Sequence, residues 1–319
     1  MTSPPRVSVV VATYNRRAYL CEALESLFAQ TYRDFEAIVG NDGGPDYIEP
    51  VRERFADERI VWADHAARRG MLANTLDGFR RARGEFLAIL QDDDRWAPEL
   101  LARLVPRLEA DPTINVAFSD HFIIDQDGAI DLAGTDSNSA AFGRDRLAAG
   151  VHRPFRRLAV IDEAIPIQCA AVFRKRALDL SAFPAQAGTK FDRWLTWELA
   201  AGDAGAYFEP ARLAYYRSHP GQQTVTGALE NAQAGIYIFR RFLEEPVPAD
   251  LPRAPLRAAL AAQHHGAGVA LIRARQPRAA RRQLYQALRL RPRPRTGAAL
   301  LFSLLPRSLR NSRQAIHVS

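Results

Sequence analysis

Three consecutive aspartates, Asp92, Asp93 and Asp94, follow directly on the apolar run Phe86-Leu87-Ala88-Ile89-Leu90. The run reads as a buried strand, and in an α/β sheet ligands bind at the carboxyl ends of strands. Adjacent carboxylates repel one another unless a positive charge neutralises them, and a hard divalent cation shared with a diphosphate does so. Helix capping is the competing reading. Asp94 stands just ahead of Trp96-Ala97-Pro98-Glu99, which has the form of a first helical turn, although a cap uses one aspartate and not three.

The first strand-like run, Val7-Ser8-Val9-Val10-Val11, is followed by Ala12-Thr13-Tyr14-Asn15-Arg16, a turn without glycine. Dinucleotide fingerprints and P-loops need glycine there so that backbone N–H groups can approach phosphate, so hydride transfer and ATP hydrolysis of those kinds lose support. There is also no HExxH zinc helix and no GxSxG nucleophile turn. What the strand ends do offer is Tyr14, Asn15 and Asp42. An aromatic ring can stack on a nucleobase, and a carboxylate can accept from an imide N–H. Asp42 ahead of Gly43 also suits a simple turn, and Tyr14 also suits packing.

The elements that must position these groups alternate in period. Leu20, Ala23, Leu24, Leu27 and Phe28 recur at helical spacing, and further helical patterns cover 48–55, 71–81 and 98–109. Between them lie the strand-like runs at 37–39, 60–62, 86–90 and 116–118. This alternation predicts an α/β fold with a mostly parallel sheet flanked by helices. The Asp125-Gln126-Asp127-Gly128 turn between two apolar runs predicts a hairpin, hence antiparallel strands mixed into the second part. Residues 136–150 are small and polar and read as a flexible loop of lid length. Residues 170–173 read as a strand and 192–201 as a short amphipathic helix, while Pro246, Pro248, Pro252 and Pro255 mark a linker. Beyond it, 256–290 is helical with a break near Pro277.

Taken together, Val7 to Asn15, the Asn41-Asp42-Gly43 turn, Gly70 to Asn74 and Gln91-Asp92-Asp93-Asp94 resemble glycosyltransferase family 2, the inverting GT-A enzymes that use nucleotide sugars. Asp192 with Leu195, Leu199 and Ala200 resembles the family's catalytic-aspartate helix. Tyr215-Tyr216-Arg217-Ser218-His219-Pro220-Gly221 is similar to its Tyr-Arg-x-His element, so that the resemblance covers about residues 5 to 225.

The resemblance implies a Rossmann-like GT-A domain over 1–245, with a nucleotide-binding half to about residue 120 and an acceptor half after it. A Pro-rich linker at 246–255 and a basic helical region at 256–319 follow. It further implies that Ala12 and Tyr14 border the base, that Asp42 accepts from the uracil or thymine N3, and that Arg68 or Arg69 reaches base or phosphate. Asp92 and Asp93 serve the DXD function, with Asp93, Asp94 and His219 around Mg2+ or Mn2+, and Asp192 is the general base. Two positions depart from the pattern: Gln91 stands at the usual first Asp of the acidic motif, and Gly44 where Ser is common. Processive synthases of the family carry Gln-x-x-Arg-Trp and membrane helices, whereas here Lys190 precedes Arg193-Trp194. No apolar run approaches the roughly 20 residues of a bilayer span, so a polymer synthase is not expected. Asp192 as a helix N-cap and His219 as an ordinary loop residue stand as the structural alternatives.

Composition sets the remaining bounds. A chain of 319 residues that is 47% hydrophobic can bury one large core with an appendage. Cys21 and Cys169 are too few for a disulfide framework and fit a reducing compartment. With no signal-peptide core at the amino terminus, a cytoplasmic location is expected. The net charge of +7 hides an asymmetry: residues 251–319 hold 14 arginines and no Lys, Asp or Glu, leaving 29 basic against 36 acidic residues before them. Such a tail solvates helix faces or meets an anionic partner. The expected partners are a nucleoside-diphosphate sugar, a saccharide or lipid-linked acceptor and an anionic membrane surface, with no nucleic acid. An inactive scaffold and a sugar-1-phosphate nucleotidyltransferase are the alternatives, the latter disfavoured by the glycine-free first turn.

Overall fold

The computed structural model describes residues 4–222, 227–244 and 251–305. The chain divides into two compact units, one formed by 1–185 with 191–220 and the other by 186–190 with 221–319.

In the first unit, β1 (Val7–Thr13), β2 (Phe35–Asn41), β3 (Ile60–Asp64) and β4 (Phe86–Ile89) are joined by α1 (Arg17–Phe28), α2 (Pro45–Arg54) and α3 (Met71–Arg81). They pair in parallel in the order β3-β2-β1-β4. Val7, Val9 and Val11 pack with Leu20, Ala23, Leu24 and Leu27 of α1, and Gly78 of α3 fits against Val10 on the opposite face. Both faces are thereby covered, which is why these strands read as continuous apolar runs. The strand order reverses between β1 and β4, and the carboxyl ends of those two strands carry Thr13-Tyr14 and the aspartate triplet.

The sheet continues with β5 (Arg95–Trp96), α4 (Leu100–Ala110), β6 (Ile114–Ile124), β7 (Ile130–Asp131), α5 (Leu132–Ala141), β8 (Gly150–His152), α6 (Arg156–Val160), β9 (Ala171–Arg174), α7 (Phe191–Leu199) and β10 (Gly205–Arg217). Beyond β4 the order runs β9-β6-β10-β5, with β9 antiparallel to both neighbours and β10 parallel to β6. The expected hairpin is present, with β7 antiparallel to the end of β6. Its first strand is longer than expected, because the runs at 116–118 and 122–124 are one strand. The helix expected from 98 begins at Leu100, since Arg95 and Trp96 are drawn into pairing with β10.

The expected flexible loop at 136–150 is largely ordered structure. Residues 132–141 form α5, capped by Asp131, whose side chain accepts from the Gly134 N–H. Its buried face is Thr135 and Ser139, one turn apart, which donate to the Asp131 carbonyl and the Asp120 carboxylate. A helix with a polar inner face has no apolar stripe to read.

Beneath α5, Asp120 binds Arg144 at 2.7 Å, and Arg212 lies 3.5 Å away. Although burial opposes it, hydrogen bonds from Ser139 and Arg144 hold the Asp120 carboxyl below its usual range. His121 beside it is pushed down to about 4, first by burial and then by the Arg144 charge. Between that value and the ordinary pKa of about 6.5, the unfolded chain takes up a proton that the folded one refuses, so this group lowers stability as pH falls through the window. His121→Asn should therefore flatten the loss of denaturant stability between pH 7 and pH 4.5 by about 2 kcal/mol. Parallel pH profiles for variant and parent would refute this.

The second unit holds α8 (Ala228–Glu244), α9 (Arg253–Arg273), α10 (Pro277–Leu290) and α11 (Pro294–Leu304). Successive helices pack on one another, and Gly268 of α9 leaves room for Leu284 of α10, whose Cγ would lie 2.6 Å from an added Cβ. Because α8 packs on α9, compactness breaks at 220/221 and not near 245. Residues 246–250 of the expected linker lie outside the described residues. The remainder is partly helical: Pro252 caps α9 and Pro255 lies in its first turn, where a missing N–H leaves no bond unmade. Among the described residues no helix is long and apolar enough to cross a membrane.

Candidate active site

At the β1 and β2 ends, Asn15 adopts a left-handed conformation (φ 55°) that asparagine tolerates, turning the chain out of the sheet after Tyr14. Ala12 is half-buried and level with Gly40 of β2. Gly40 has no room for a side chain, because Asn74 of α3 lies over it and donates to its carbonyl at 2.7 Å. Asp42 is buried, and its Oδ2 accepts from the backbone N–H groups of Arg69 and Gly70 at 3.1 and 2.8 Å. Gly70 supplies the positive φ of 82° at that loop. The other oxygen, Oδ1, is buried with no hydrogen-bond partner among the described residues. A buried acceptor left open in this way awaits a donor.

Tyr14 is exposed and carries the Arg68 guanidinium over its ring at 4.2 Å. The structure thus separates the two arginines. Arg68 forms a wall with Tyr14, whereas Arg69 turns its side chain to Asp77 at 3.5 Å and contributes its backbone N–H to Asp42.

Across the β1–β4 crevice, Asp92 accepts from the Thr13 hydroxyl at 2.8 Å and from Arg16 at 3.2 Å. Burial, reinforced by the Asp93 charge, pushes its carboxyl up to about 6. Asp93 is less enclosed and bonds Arg16 at 2.5 Å and His219 Nε2 at 3.1 Å. Arg16 is therefore the counter-charge that three adjacent carboxyls require. Asp94 is put to a different use. Its Oδ1 accepts the Arg217 N–H at 2.9 Å, and burial, then the Asp93 charge, holds its carboxyl well above the usual range. Its Oδ2 is buried without a hydrogen-bond partner among the described residues, so Asp94 caps no helical N–H there. Gln91 bonds Gln168 at 2.5 Å.

Asp192 lies in the first turn of α7, whose Phe191, Leu195 and Leu199 face the core. Its Oδ1 is buried without a partner among the described residues, so it caps no backbone N–H there, and its Oδ2 lies 3.6 Å from Arg193 Nε. Arg193 is held in turn by Glu163. No described hydrogen bond or ion pair joins Asp192 to the acidic triplet. Two other acids are already engaged: Asp120 by Ser139 and Arg144, and Glu198 by Trp194 at 2.6 Å and the Asp179 N–H at 3.2 Å.

Residues 8–180 match the model of Glycosyl transferase family 2, more than half of the chain. The chain belongs to glycosyltransferase family 2. An uncharacterized glycosyltransferase of Nostoc sp. is 31% identical over 134 residues, covering 41% of each chain. The GalNAc(5)-diNAcBac-PP-undecaprenol beta-1,3-glucosyltransferase of Campylobacter jejuni is 32% identical over 106 residues, 32% of this chain and 34% of that one. The matches to these relatives span less than half of their length. Among solved structures, S. aureus TarS in complex with UDP-GlcNAc aligns with a TM-score of 0.65 at 17% identity, over 93% of this chain and 84% of that one. The mannosyltransferase PcManGT of Pyrobaculum calidifontis, with GDP-Man and Mn2+, aligns at 0.57 and 21% identity, over 94% and 79%. The fold is GT-A.

Several residues that build this family 2 site carry no sequence signal of their own. Arg217, only 1% exposed, donates to the Asp93 carbonyl at 2.8 Å, the Gln126 carbonyl at 3.0 Å and Glu22 at 2.5 Å, with its guanidinium 4.5 Å above the Tyr19 ring. Its place in the Tyr-Arg-x-His element was the one signal available. Arg16, Thr13 and Tyr47, which bonds the Thr13 hydroxyl, were legible only as neighbours of Tyr14 and of the Asn-Asp-Gly turn.

Proposed function

We propose that this chain is an inverting glycosyltransferase that moves a sugar from a UDP-sugar, with Mg2+ or Mn2+, to a hydroxyl of a saccharide or lipid-linked acceptor. The observation that carries this reading is the open Oδ1 of Asp42. A carboxylate held by two backbone N–H groups, with one buried oxygen left over beside the Tyr14–Arg68 pair, is built to accept a single N–H from a stacked base. Uracil N3–H is such a donor. The relatives' names agree with this class: the Campylobacter enzyme is named for a glucosyl transfer to an undecaprenol-linked glycan, and TarS was solved with UDP-GlcNAc. A cell-surface glycoconjugate is the acceptor class that fits best.

The cation is supported by donor chemistry. Asp93 Oδ2 and His219 Nε2 converge at 3.1 Å, while among the described residues no three His, Cys, Asp or Glu side chains form a ligand set. One or two carboxylates completed by substrate phosphate oxygens is the way Mg2+ is commonly held. Asp93 and His219 would hold the ion, with Asp94 next in the chain, its Oδ1 accepting from the Arg217 N–H and its Oδ2 buried without a hydrogen-bond partner among the described residues. When bound, the cation supplies charge neutralisation for the departing diphosphate.

The chain's own residues do the rest. Tyr14, Arg68 and Asp42 fix the nucleoside. Asp192 takes the acceptor O–H proton on its carboxylate as the acceptor oxygen bonds to the anomeric carbon. The bond from that carbon to the diphosphate oxygen breaks on the opposite face, releasing UDP and inverting the centre.

A panel of UDP-, dTDP- and GDP-sugars with Mg2+ or Mn2+, scored by thermal stabilisation and slow donor hydrolysis, tests this reading. UDP-sugars should stabilise the protein selectively. Asp42→Asn keeps an oxygen for the 69–70 loop but turns the free atom into a donor facing a donor. UDP affinity should fall about tenfold to a hundredfold with melting temperature unchanged. Unchanged UDP affinity in that variant, or selectivity for GDP-sugars, would sink the base assignment, and failure to bind any nucleotide would sink the function.

A further inference from the structure

The last described helix of the second unit is inside out. On α11 the buried positions are Thr296, Ala299 and Ser303, small or polar, while Leu301 and Leu304 are 67% and 56% exposed. Ala298 lies one turn before Leu301 on that exposed stripe, and no charged residue occurs between Arg295 and the end of α11. Leu300 and Phe302 are half-buried. Single exposed leucines are ordinary, but a helix whose buried positions are small or polar while two leucines one turn apart stand exposed marks a surface made to be covered. On the neighbouring α10, the buried stripe is Ala280, Leu284 and Ala287, and the outward positions include Tyr285, 56% exposed, with Arg278, Arg282 and Arg289. Arg291 and Arg295 flank the turn into α11 and are exposed as well.

The charge decides what covers it. With 14 arginines and no acidic residue in 251–319, a second copy apposed through this face would set arginine against arginine. A nucleic-acid backbone would satisfy the arginines but leave the leucines uncovered. We propose that α10 and α11 lay this unit on an anionic lipid surface, with Leu301, Leu304 and Tyr285 entering the boundary between headgroups and acyl chains and the arginines on the phosphates. That pairing of a shallow apolar face with arginine is the composition of an interfacial helix, and the two contributions together give a stable but reversible attachment. The inference is independent of the donor and general-base assignments.

Flotation of the full chain with vesicles tests it. Phosphatidylcholine vesicles containing phosphatidylglycerol should carry the protein, phosphatidylcholine alone should not, and added salt should weaken the binding. The double variant Leu301→Gln/Leu304→Gln leaves charge unchanged at exposed positions and should reduce partitioning about tenfold or more. UDP affinity should stay at the parent value in the same variant, which separates this surface from the active site. Equal binding to neutral and anionic vesicles, binding to neither, or parental binding by the double variant would overturn the proposal. So would a concentration-dependent dimer abolished by the leucine changes, or tight binding to a DNA duplex without vesicle binding.

Discussion

Asp93→Ala is expected to reduce sugar transfer by about a hundredfold to a thousandfold, the scale seen when a single group that stabilises developing charge is removed. Asp93 is the member of the triplet that is both partly accessible and paired with His219, so its loss removes one of the two proposed protein ligands. Folding should survive, because the fixed contacts of the acidic loop run through Asp92 and Asp94, which hold Thr13 and the Arg217 backbone. The measurements are turnover with and without chelator, and UDP binding by calorimetry with and without Mg2+. In the variant, the Mg2+-dependent part of the binding should be lost while metal-free binding persists. Full turnover in the variant with the metal chelated would end the assignment.

Asp192→Asn should reduce turnover by about a hundredfold or more and leave donor affinity near that of the parent. The substitution preserves shape and removes basicity, and the structure makes it a cleaner test than the sequence alone allows. A capping role would require the side chain to accept from a backbone N–H of α7, yet Oδ1 has no such partner and Oδ2 faces Arg193. Thermal unfolding of the variant should therefore match the parent. If folding were lost, or turnover stayed within a few-fold at neutral pH, the base would have to be sought elsewhere. Asp120 and Glu198 would first have to give up their present hydrogen bonds.

The parts of the fold legible in the sequence are those whose burial is two-sided or strictly periodic. β4 is apolar throughout and β1 nearly so because helices cover both their faces, and α3 occupies 71–81 as its spacing predicts. Where side chains of mixed polarity line an element, the pattern fails. β10 runs for 13 residues with Glu209, Arg212 and Arg217 along it, each engaged by a partner that lies far away in sequence, so it never reads as a strand. α5 was hidden by Thr135 and Ser139 for the same reason. In the site, the residue types at the strand ends announced themselves, but what orients them did not. Nothing local in Arg16 foretells that it spans Asp92 and Asp93, and Arg217 is marked by its place in the Tyr-Arg-x-His element but not by anything that names its partners.

Arg217 also dictates when the site can come into being. Its bonds reach back 124 residues to the Asp93 carbonyl and 195 residues to Glu22, and its backbone N–H is the partner of Asp94. On a growing chain, β1 to β4 and their helices can condense from local contacts, whereas the acidic loop must wait with one buried carboxyl unanswered until β10 has been synthesised and laid beside β6. Contacts of such sequence separation form late. A fully formed acidic loop is then the last feature of the site that the first unit acquires, and a nascent chain halted before residue 205 has the crevice without the staple that shapes it.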